Sequence, residues 1–250
     1  MIALGSATLA QATRHGRVLD NGFAFHRSEW MQHGRGPGLA PTVFLVEQPP
    51  HSVLAPHFHT HNQFQVVKDG SGTLGPHAVG PGSVHYAGAY TGYGPLVAGP
   101  AGLSYFTMRA GYETGANFLP VARDRVRRGP KRHAQAPVHP PLPIAALGGL
   151  ASACRHPLIP LQDDLEAYAL QLPPRALLEP DEPGGSGQFQ LVLAGTLATP
   201  QGPLRAWESR YLSPGEDAGG CAAGESGLHL LVLRMPAHAP EYAAAEASPV

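Results

Sequence analysis

Residues 56–72 read PHFHTHNQFQVVKDGSG, and polar side chains stand at every second position of this stretch. They are His57, His59, His61, Gln63 and Gln65. Alternate side chains of a β-strand lie on the same face of the sheet. A strand here would therefore have one polar face, opposite an apolar face of Phe58, Phe64 and Val66.

Such a polar face occurs where a sheet meets water and also where a sheet lines a polar cavity. Two observations favour the cavity. The pair Gln188 and Gln190 repeats the two glutamines later in the chain, and three histidines within five residues are unusually dense. The alternation itself leaves both interpretations open.

The two halves of the chain repeat each other with an offset of 124 or 125 residues. Three matches have this offset: QFQVV at 63 with QFQLV at 188, GLSYFTMRA at 102 with GLHLLVLRMP at 227, and TVFLVEQPP at 42 with EAYALQLPP at 166. Pro81-Gly82 has a further counterpart in Pro214-Gly215, in the same order along the chain but with local length changes around it. Internal repeats indicate repeated structural units. Because TVFLVEQPP alternates like a strand, we also predict a strand at 168–172, where a short helix would otherwise fit.

A proline-rich stretch lies between the copies and is expected to interrupt regular structure. We therefore predict an N-terminal domain at 1–126, a linker at 127–143, a C-terminal domain at 144–238 and a flexible tail at 239–250. Six basic residues lie beside the proline-rich stretch, from just before the linker into its start: Arg123, Arg125, Arg127, Arg128, Lys131 and Arg132. We interpret this basic cluster as a solvated segment.

The composition indicates an all-β protein. The 250 residues include 31 Gly and 27 Pro, which separate short apolar runs, and 43% of the residues are hydrophobic. Many short strands between Gly/Pro turns are typical of sandwiches and barrels. The formal net charge of −1 gives no reason to expect nucleic acid as a partner.

The two cysteines, Cys154 and Cys221, do not form a disulfide framework or a zinc-ribbon spacing. The segment MIALGSATLAQATRHG lacks the basic and apolar regions of a signal peptide, and no run of residues is apolar enough to cross a membrane. We therefore expect a cytoplasmic protein without membrane contact.

The stretch HFHTHNQFQVVKDGSG resembles the first motif of the cupins, which runs His-x-His, three or four residues, Glu, six residues, Gly. Two registers fit this spacing: His57, His59, Gln63 and Gly70, or His59, His61, Gln65 and Gly72. We prefer the first, because Gly70 opens a Gly-Ser-Gly turn. The stretch GPGSVHYAGAYTGYGP resembles the second motif, with Tyr93 at the position where cupins have a histidine.

The resemblance implies an all-β chain of two tandem cupin barrels (double-stranded β-helix or jelly-roll) with short peripheral helices. It also implies a homodimer and a single divalent metal, Fe, Mn, Ni or Zn, with no nucleotide cofactor. The second copy has Glu182, Gly184 and Ser186 opposite the three histidines. We therefore expect a degenerate, structural second barrel.

By this resemblance the metal ligands are His57 and His59, with Gln63 as a weak ligand. Imidazole suits Fe, Ni and Zn, but Gln in place of Glu removes the negative charge that would offset the cation. Tyr93 would be the catalytic residue, which positions substrate or transfers a proton. The substrate pocket would include four further residues: His61, Gln65, His85 and Tyr90.

The sequence thus predicts a small-molecule site in the N-terminal barrel. The predicted activity is that of a metal-dependent oxidoreductase (dioxygenase-like), lyase or isomerase. The alternatives are a metal-free ligand-binding cupin and a structural, dimerising scaffold. An enzyme needs an open cavity around the histidines, a binder needs a cavity without metal, and a scaffold needs that face filled or buried.

Overall fold

The computed structural model describes residues 1–36, 38–217 and 219–242. The strands of the first half are β1 (Ile2–Gly5), β2 (His15–Val18), β3 (Ala24–Gln32), β4 (Thr42–Gln48), β5 (Val53–Leu54), β6 (His57–Phe58), β7 (Gln63–Leu74), β8 (His77–Val79), β9 (Val84–Ala87), β10 (Leu96–Arg109), β11 (Asn117–Phe118) and β12 (His133–Gln135). Those of the second half are β13 (Cys154–Gln162), β14 (Leu165–Leu172), β15 (Gln188–Ala198), β16 (Leu204–Arg205), β17 (Ser209–Leu212) and β18 (Ala222–Arg234). Two short helices, α1 (Ala7–Thr13) and α2 (Ile144–Gly148), and a 3-10 turn (Arg123–Arg125) complete the described part.

The strands form two large antiparallel sheets with the same central order. One runs β12-β9-β7-β10-β4-β3-β2, and the other runs β1-β17-β15-β18-β14-β13. The order β9-β7-β10-β4-β3 in the first sheet corresponds to β17-β15-β18-β14-β13 in the second. The sequence repeat is therefore a structural repeat of two barrels, and the predicted strand at 168–172 is confirmed within β14.

Gly70 and Gly195 lie at matching positions within β7 and β15, so the predicted Gly-Ser-Gly turn at 70–72 is wrong. Gly70 and Gly195 both have a φ of 78°, in the left-handed region. A Cβ atom at Gly70 would collide with the carbonyl oxygen of Gly102, and one at Gly195 would collide with that of Gly227. Both positions therefore require glycine, for conformation as well as for space.

The predicted match between Pro81-Gly82 and Pro214-Gly215 is wrong. Pro81-Gly82 precedes β9, whereas Pro214-Gly215 follows β17. The true counterpart of Gly82 is Trp207, because both have a positive φ and donate equivalent backbone bonds, to Val67 O at 2.9 Å and to Val192 O at 2.6 Å. The two Pro-Gly dipeptides suggested a false match, because the equivalent turn of the second copy has Trp207 and not glycine.

The two barrels share an apolar core between their sheets. Phe64 and Val66 of β7 lie in this core with Phe189 and Leu191 of β15. Each barrel has a second core of its own on the other side of its sheet. The apolar face of β7 therefore packs against the second barrel, and its polar face points into the first barrel rather than into water.

Strand pairing differs from the predicted domain division at two places. Strand β1 pairs with β17 in the second sheet, and β12, from the predicted linker, pairs with β9 in the first. β17 and β9, to which these strands are added, are equivalent strands of the two copies. The added strand pairs backbone groups that would otherwise be left open at the edge of the sheet. The other predicted boundaries stay a prediction.

The predicted flexible tail is ordered at its start. Residues 240–242 form a helical turn, and Tyr242 is buried with its hydroxyl donating to Pro130 O at 2.7 Å. Residues 243–250 of the predicted tail lie outside the described residues. In the described part of the chain, no helix is long and apolar enough to cross a bilayer.

Candidate functional site

The polar stretch at 57–65 is not one continuous strand. β6 ends at Phe58 and β7 begins at Gln63, so residues 59–62 form an irregular connection. This break turns His61 away from its predicted neighbours: it lies at the ring of His238, 5.6 Å between centroids, in a cleft of about 220 Å³ between the two halves. His61 thus lies apart from the other predicted pocket residues, and its place in a substrate pocket stays a prediction.

Six side chains form one buried hydrogen-bonded network inside the N-terminal barrel, which we call the Arg109 cluster. Its members are His57, His59, Gln63, Tyr93, Arg109 and Glu113. Four of them were predicted from the sequence, in the first cupin register. Strands β6, β7 and β10 carry His57, Gln63 and Arg109, whereas His59, Tyr93 and Glu113 come from irregular segments next to these strands.

Tyr93 joins the histidine side of the cluster to the glutamine side. His57 Nδ1 donates to Ala55 O at 2.8 Å, so Nε2 of the neutral ring is free to accept from the Tyr93 hydroxyl at 2.8 Å. Gln63 Nε2 donates to the same hydroxyl oxygen at 2.6 Å. Burial and the neighbouring His59 lower the pKa of His57 to about 3, which keeps its ring neutral near pH 7.

Arg109 lies at the centre of the cluster. Its Nε and Nη2 atoms donate to Gln63 Oε1 at 3.0 and 2.8 Å, and Nη2 lies 3.0 Å from His59 Nδ1. Its Nη1 atom lies 3.5 Å from Glu113 Oε2, and both side chains are only 4% exposed. The barrel interior thus contains a fixed cation with one carboxylate counter-ion.

Glu113 approaches the cluster from the segment that follows β10. Its Oε1 accepts from the backbone N–H of Thr60 at 3.0 Å and lies 3.0 Å from His59 Nδ1. Burial alone would raise the pKa of Glu113, but His59, Arg109 and the accepted hydrogen bonds outweigh it and lower the pKa to about 2. Glu113 is therefore an ionised carboxylate at neutral pH.

His59 contacts both ends of this ion pair through one nitrogen. Its Nδ1 atom can donate to Glu113 or accept from Arg109, but a single ring nitrogen serves only one of these partners at a time. Burial and the charge of Arg109 lower the pKa of His59. A neutral His59 can therefore adapt to either partner by a change of tautomer.

The predicted metal ligands do not fit a divalent cation in this arrangement. A metal site needs lone pairs directed at one point. Here the Arg109 guanidinium takes the lone pairs of Gln63, and His57 Nε2 accepts from Tyr93. A second cation among these donors would face a buried like charge. No group of three or more His, Cys, Asp or Glu residues within 1–36, 38–217 and 219–242 is arranged to hold a metal ion.

A small cavity of about 10 Å³ lies beyond Tyr93, between Gln65, His85 and Tyr105. This volume accommodates about one water molecule. His85 Nδ1 lies 3.2 Å from Gln135 Oε1, whereas His85 Nε2 and Gln65 Oε1 have no hydrogen-bond partner among the described residues. Burial lowers the pKa of His85 to about 4. Both residues thus line the interior, as the sequence predicts.

Tyr90 and Tyr93, both from the second motif, lie in different surroundings. Tyr90 has a φ of 56° and packs outside the cavity, against Phe58 and Tyr242 with centroid distances of 5.9 and 4.8 Å. Tyr90 lines a separate cavity of about 540 Å³ together with Phe58 and Thr60, so its predicted place in the substrate pocket stays a prediction. Burial raises the pKa of Tyr93, which disfavours a phenolate at neutral pH.

The sequence interpretation missed Arg109 and Glu113. A signal for the arginine was present, since Arg109 and Arg234 stand 125 residues apart, as Gln63 and Gln188 do. In the second barrel Arg234 faces Gln188 in register but forms ion pairs with Glu166 and Asp181. Glu113 had no such signal, because it lies in an irregular segment.

No protein-family model matches the chain, and no curated protein matches it. Solved structures do match it in fold. The pirin YhhW of Escherichia coli, in complex with nickel(II), is 12% identical with a TM-score of 0.55, over 95% of this chain and 100% of that chain. This chain has the bicupin fold.

Two further bicupin-fold matches illustrate the range of this architecture. The oxalate decarboxylase of Bacillus subtilis, with Mn(II) centres, is 11% identical with a TM-score of 0.56, over 91% of this chain and 76% of that chain. The 11S globulin of Wrightia tinctoria, with an auxin binding site, is 12% identical with a TM-score of 0.58, over 90% and 84%. At these identities the likeness shows the fold alone.

The second barrel of this bicupin has a filled polar interior. Arg210 stands at the position that corresponds to His85, and its Nε donates to Gln190 Oε1 at 2.8 Å. Its Nη1 lies 3.0 Å from Cys221 Sγ. Arg210 is only 1% exposed. A long, buried side chain thus occupies the space that is a small cavity in the first barrel.

Proposed function

We propose that this protein is a metal-independent cupin that binds a small polar molecule in its N-terminal barrel. The observation that carries the proposal is the position of the Arg109 guanidinium, within 3.0 Å of both Gln63 Oε1 and His59 Nδ1. The permanently charged guanidinium of Arg109 thus supplies, among these donors, the positive charge that a metal ion would otherwise supply.

The predicted metal-dependent oxidoreductase, lyase or isomerase is less well supported by this geometry. Its ligands would have to leave Arg109 and Tyr93 before they could bind a cation. The predicted catalytic role of Tyr93 needs a lowered pKa, whereas burial raises the pKa of this phenol. Tyr93 is better suited to hold His57 and Gln63 in place.

Binding is favoured over a purely structural role by the cost of the polar interior. A buried polar atom without a partner costs about 1–3 kcal/mol. His85 Nε2 and Gln65 Oε1 are two such atoms among the described residues, and both line the interior cavity. A scaffold would gain stability from apolar side chains at these positions. The cavity itself holds about one water molecule, so a small molecule would bind at the Arg109 cluster rather than in this cavity.

Elemental analysis tests the proposal directly. The protein is purified without added metal or chelator, alongside a His57→Ala, His59→Ala double variant. We expect substoichiometric metal in both, also after Fe, Mn, Ni or Zn is added back. Near-stoichiometric metal in the wild type that is lost in the double variant would overturn the proposal.

The predicted homodimer and the predicted cytoplasmic location also stay proposals. Light scattering coupled to size exclusion measures the mass in solution against the 26.2 kDa of one chain. A mass near twice this value supports the dimer, and a mass of one chain across a range of concentrations rejects it.

A further inference from the structure

The carboxylate of Glu113 is the anionic member of the Arg109 cluster, and its side chain is only 4% exposed. It is held by the Arg109 guanidinium, by the Thr60 N–H and at His59 Nδ1. It belongs to residues 110–116, an irregular segment between β10 and β11. This segment continues into β11, which is attached to β6 by a two-residue ladder. A small rearrangement could therefore withdraw Glu113 without disturbing the large sheet.

A basic cavity borders the segment that carries Glu113, since Thr60 and Asn117 are among its lining residues. We call it the basic vestibule; it has a volume of about 540 Å³, and its lining includes Thr60, Asn117, Arg125, Arg127 and Arg128. Asp124 is the acidic residue of the lining. The residues interpreted from the sequence as a solvated basic segment thus border a concave surface, and clefts lined by one sign of charge concentrate ions of the opposite sign.

The basic vestibule and the Arg109 cluster meet at the Glu113 segment. Thr60 lines the vestibule, and its backbone N–H donates to Glu113 Oε1. Asn117 lines the vestibule and begins β11, four residues after Glu113. The vestibule and the Arg109 cluster are therefore connected through Thr60 and through the segment from Glu113 to Asn117.

We propose that the ligand of the N-terminal barrel is a small carboxylate that enters from the basic vestibule and displaces the Glu113 carboxylate from Arg109. This inference rests on the proposed function, because it specifies the ligand of the same site. Guanidinium and carboxylate groups match in charge and geometry. The Thr60 N–H and His59 Nδ1 would then bind the carboxylate of the ligand as they bind that of Glu113.

Displacement of Glu113 costs free energy, because its contacts in the Arg109 cluster must be broken. Glu113 therefore lowers the affinity of the site for an external carboxylate. The Glu113 carboxylate competes with any external carboxylate for Arg109. If the site is open only a fraction of the time, the apparent affinity for the ligand is reduced by that fraction. Removal of the Glu113 carboxylate should therefore strengthen the binding of an external carboxylate. It should not strengthen the binding of a neutral molecule of the same shape.

Chemical rescue of a Glu113→Ala variant tests the inference. This substitution removes a methylene and a carboxylate, which acetate replaces closely. We expect 50 mM acetate to raise the melting temperature of the variant by about 5 °C or more, and that of the wild type by about 1 °C or less. Acetamide at the same concentration, with equal ionic strength, should have little effect on either protein.

A matched variant controls for the loss of a negative charge. Asp124→Ala removes an acidic side chain from the basic vestibule but leaves Glu113 on Arg109, so acetate should act on it far less than on Glu113→Ala. Isothermal titration should show at least tenfold tighter acetate binding to Glu113→Ala than to Asp124→Ala. If Glu113→Ala does not fold alone, its refolding yield in acetate and in acetamide makes the same comparison, and Glu113→Gln serves as a second variant.

Each result decides a separate point. Equal rescue by acetamide and acetate would overturn the carboxylate as the ligand class. Equal acetate affinity for wild type and Glu113→Ala would overturn the displacement of Glu113. Neither result tests whether the protein is independent of metal. Elemental analysis tests that point separately. A stoichiometric metal lost with His57 and His59 would remove the proposed function whatever acetate does.

Discussion

Arg109 and Gln63 face each other from β10 and β7, and the guanidinium donates twice to one amide oxygen, at 3.0 and 2.8 Å. This pair lies where the cupin resemblance had implied a metal. Gln63 is fully buried, so its oxygen depends on Arg109 for a partner. The pair therefore links the stability of the barrel to the charge state of its interior.

Loss of Arg109 should strongly destabilise the protein. Removal of one member of a buried ion pair typically costs about 3–5 kcal/mol, because the remaining charge is left without compensation. We expect Arg109→Met to lower the free energy of unfolding by this amount, measured by urea denaturation. The double variant Arg109→Met, Glu113→Gln should recover much of the loss. A single variant as stable as the wild type would contradict the assigned ion pair.

Tyr93→Phe should cost more stability than a matched tyrosine change. The Tyr93 hydroxyl serves both His57 Nε2 and Gln63 Nε2, so its loss leaves two buried groups unpaired, at about 1–3 kcal/mol. Tyr86 is also buried, but its hydroxyl makes no hydrogen bond among the described residues. We expect Tyr86→Phe to change the free energy of unfolding by less than half as much. Equal effects would argue against the Tyr93 network.

Stability should fall as the pH is lowered from about 6.5 to about 4. Burial places the folded-state pKa of His85 at about 4, below its ordinary value of 6.5, so the unfolded chain binds protons first. The stability from a neutral His85 is complete above pH 6.5 and is lost towards pH 4. This loss amounts to about 3 kcal/mol for His85, at about 1.4 kcal/mol per pKa unit.

Urea denaturation at several pH values measures this dependence. We expect His85→Gln to unfold with a shallower pH dependence than the wild type over the same window. His57, with a pKa of about 3, adds a loss of the same sign. A wild-type stability that is flat from pH 6.5 to pH 4 would contradict both buried neutral histidines.

Gly70→Ala should destabilise the first barrel far more than Gly80→Ala. A Cβ atom at Gly70 meets the carbonyl of Gly102 and the residue has a φ of 78°, whereas nothing lies within 4 Å of a Cβ atom at Gly80. Strained backbone of this kind costs about 1–3 kcal/mol before the collision is included. Thermal melting of the two variants compares them directly, and similar melting temperatures would contradict the left-handed conformation of Gly70 within β7.

Local patterns in the sequence were sufficient for the fold. The alternation at 57–65 and the offset of 125 residues predicted two copies of an all-β unit, because strand periodicity and internal repetition are properties of neighbouring residues and of their order. They also brought His57, His59, Gln63 and Tyr93 into one group. The alternation placed His61 on the same face as the other histidines, which is not observed. The strand is interrupted at 59–62, and the alternation of polar residues does not reveal this break.

The chemistry of the site was decided by tertiary structure. Arg109 lies 46 residues from Gln63 along the chain, and Glu113 lies 54 residues from His59. Only the register of β10 against β7 and the path of residues 110–116 place these groups among the histidines. Strand β1 likewise joins the second sheet because an open strand edge there accepts it. The sequence by itself determined the barrels and their polar face, whereas long-range pairing decided which charge occupies the interior.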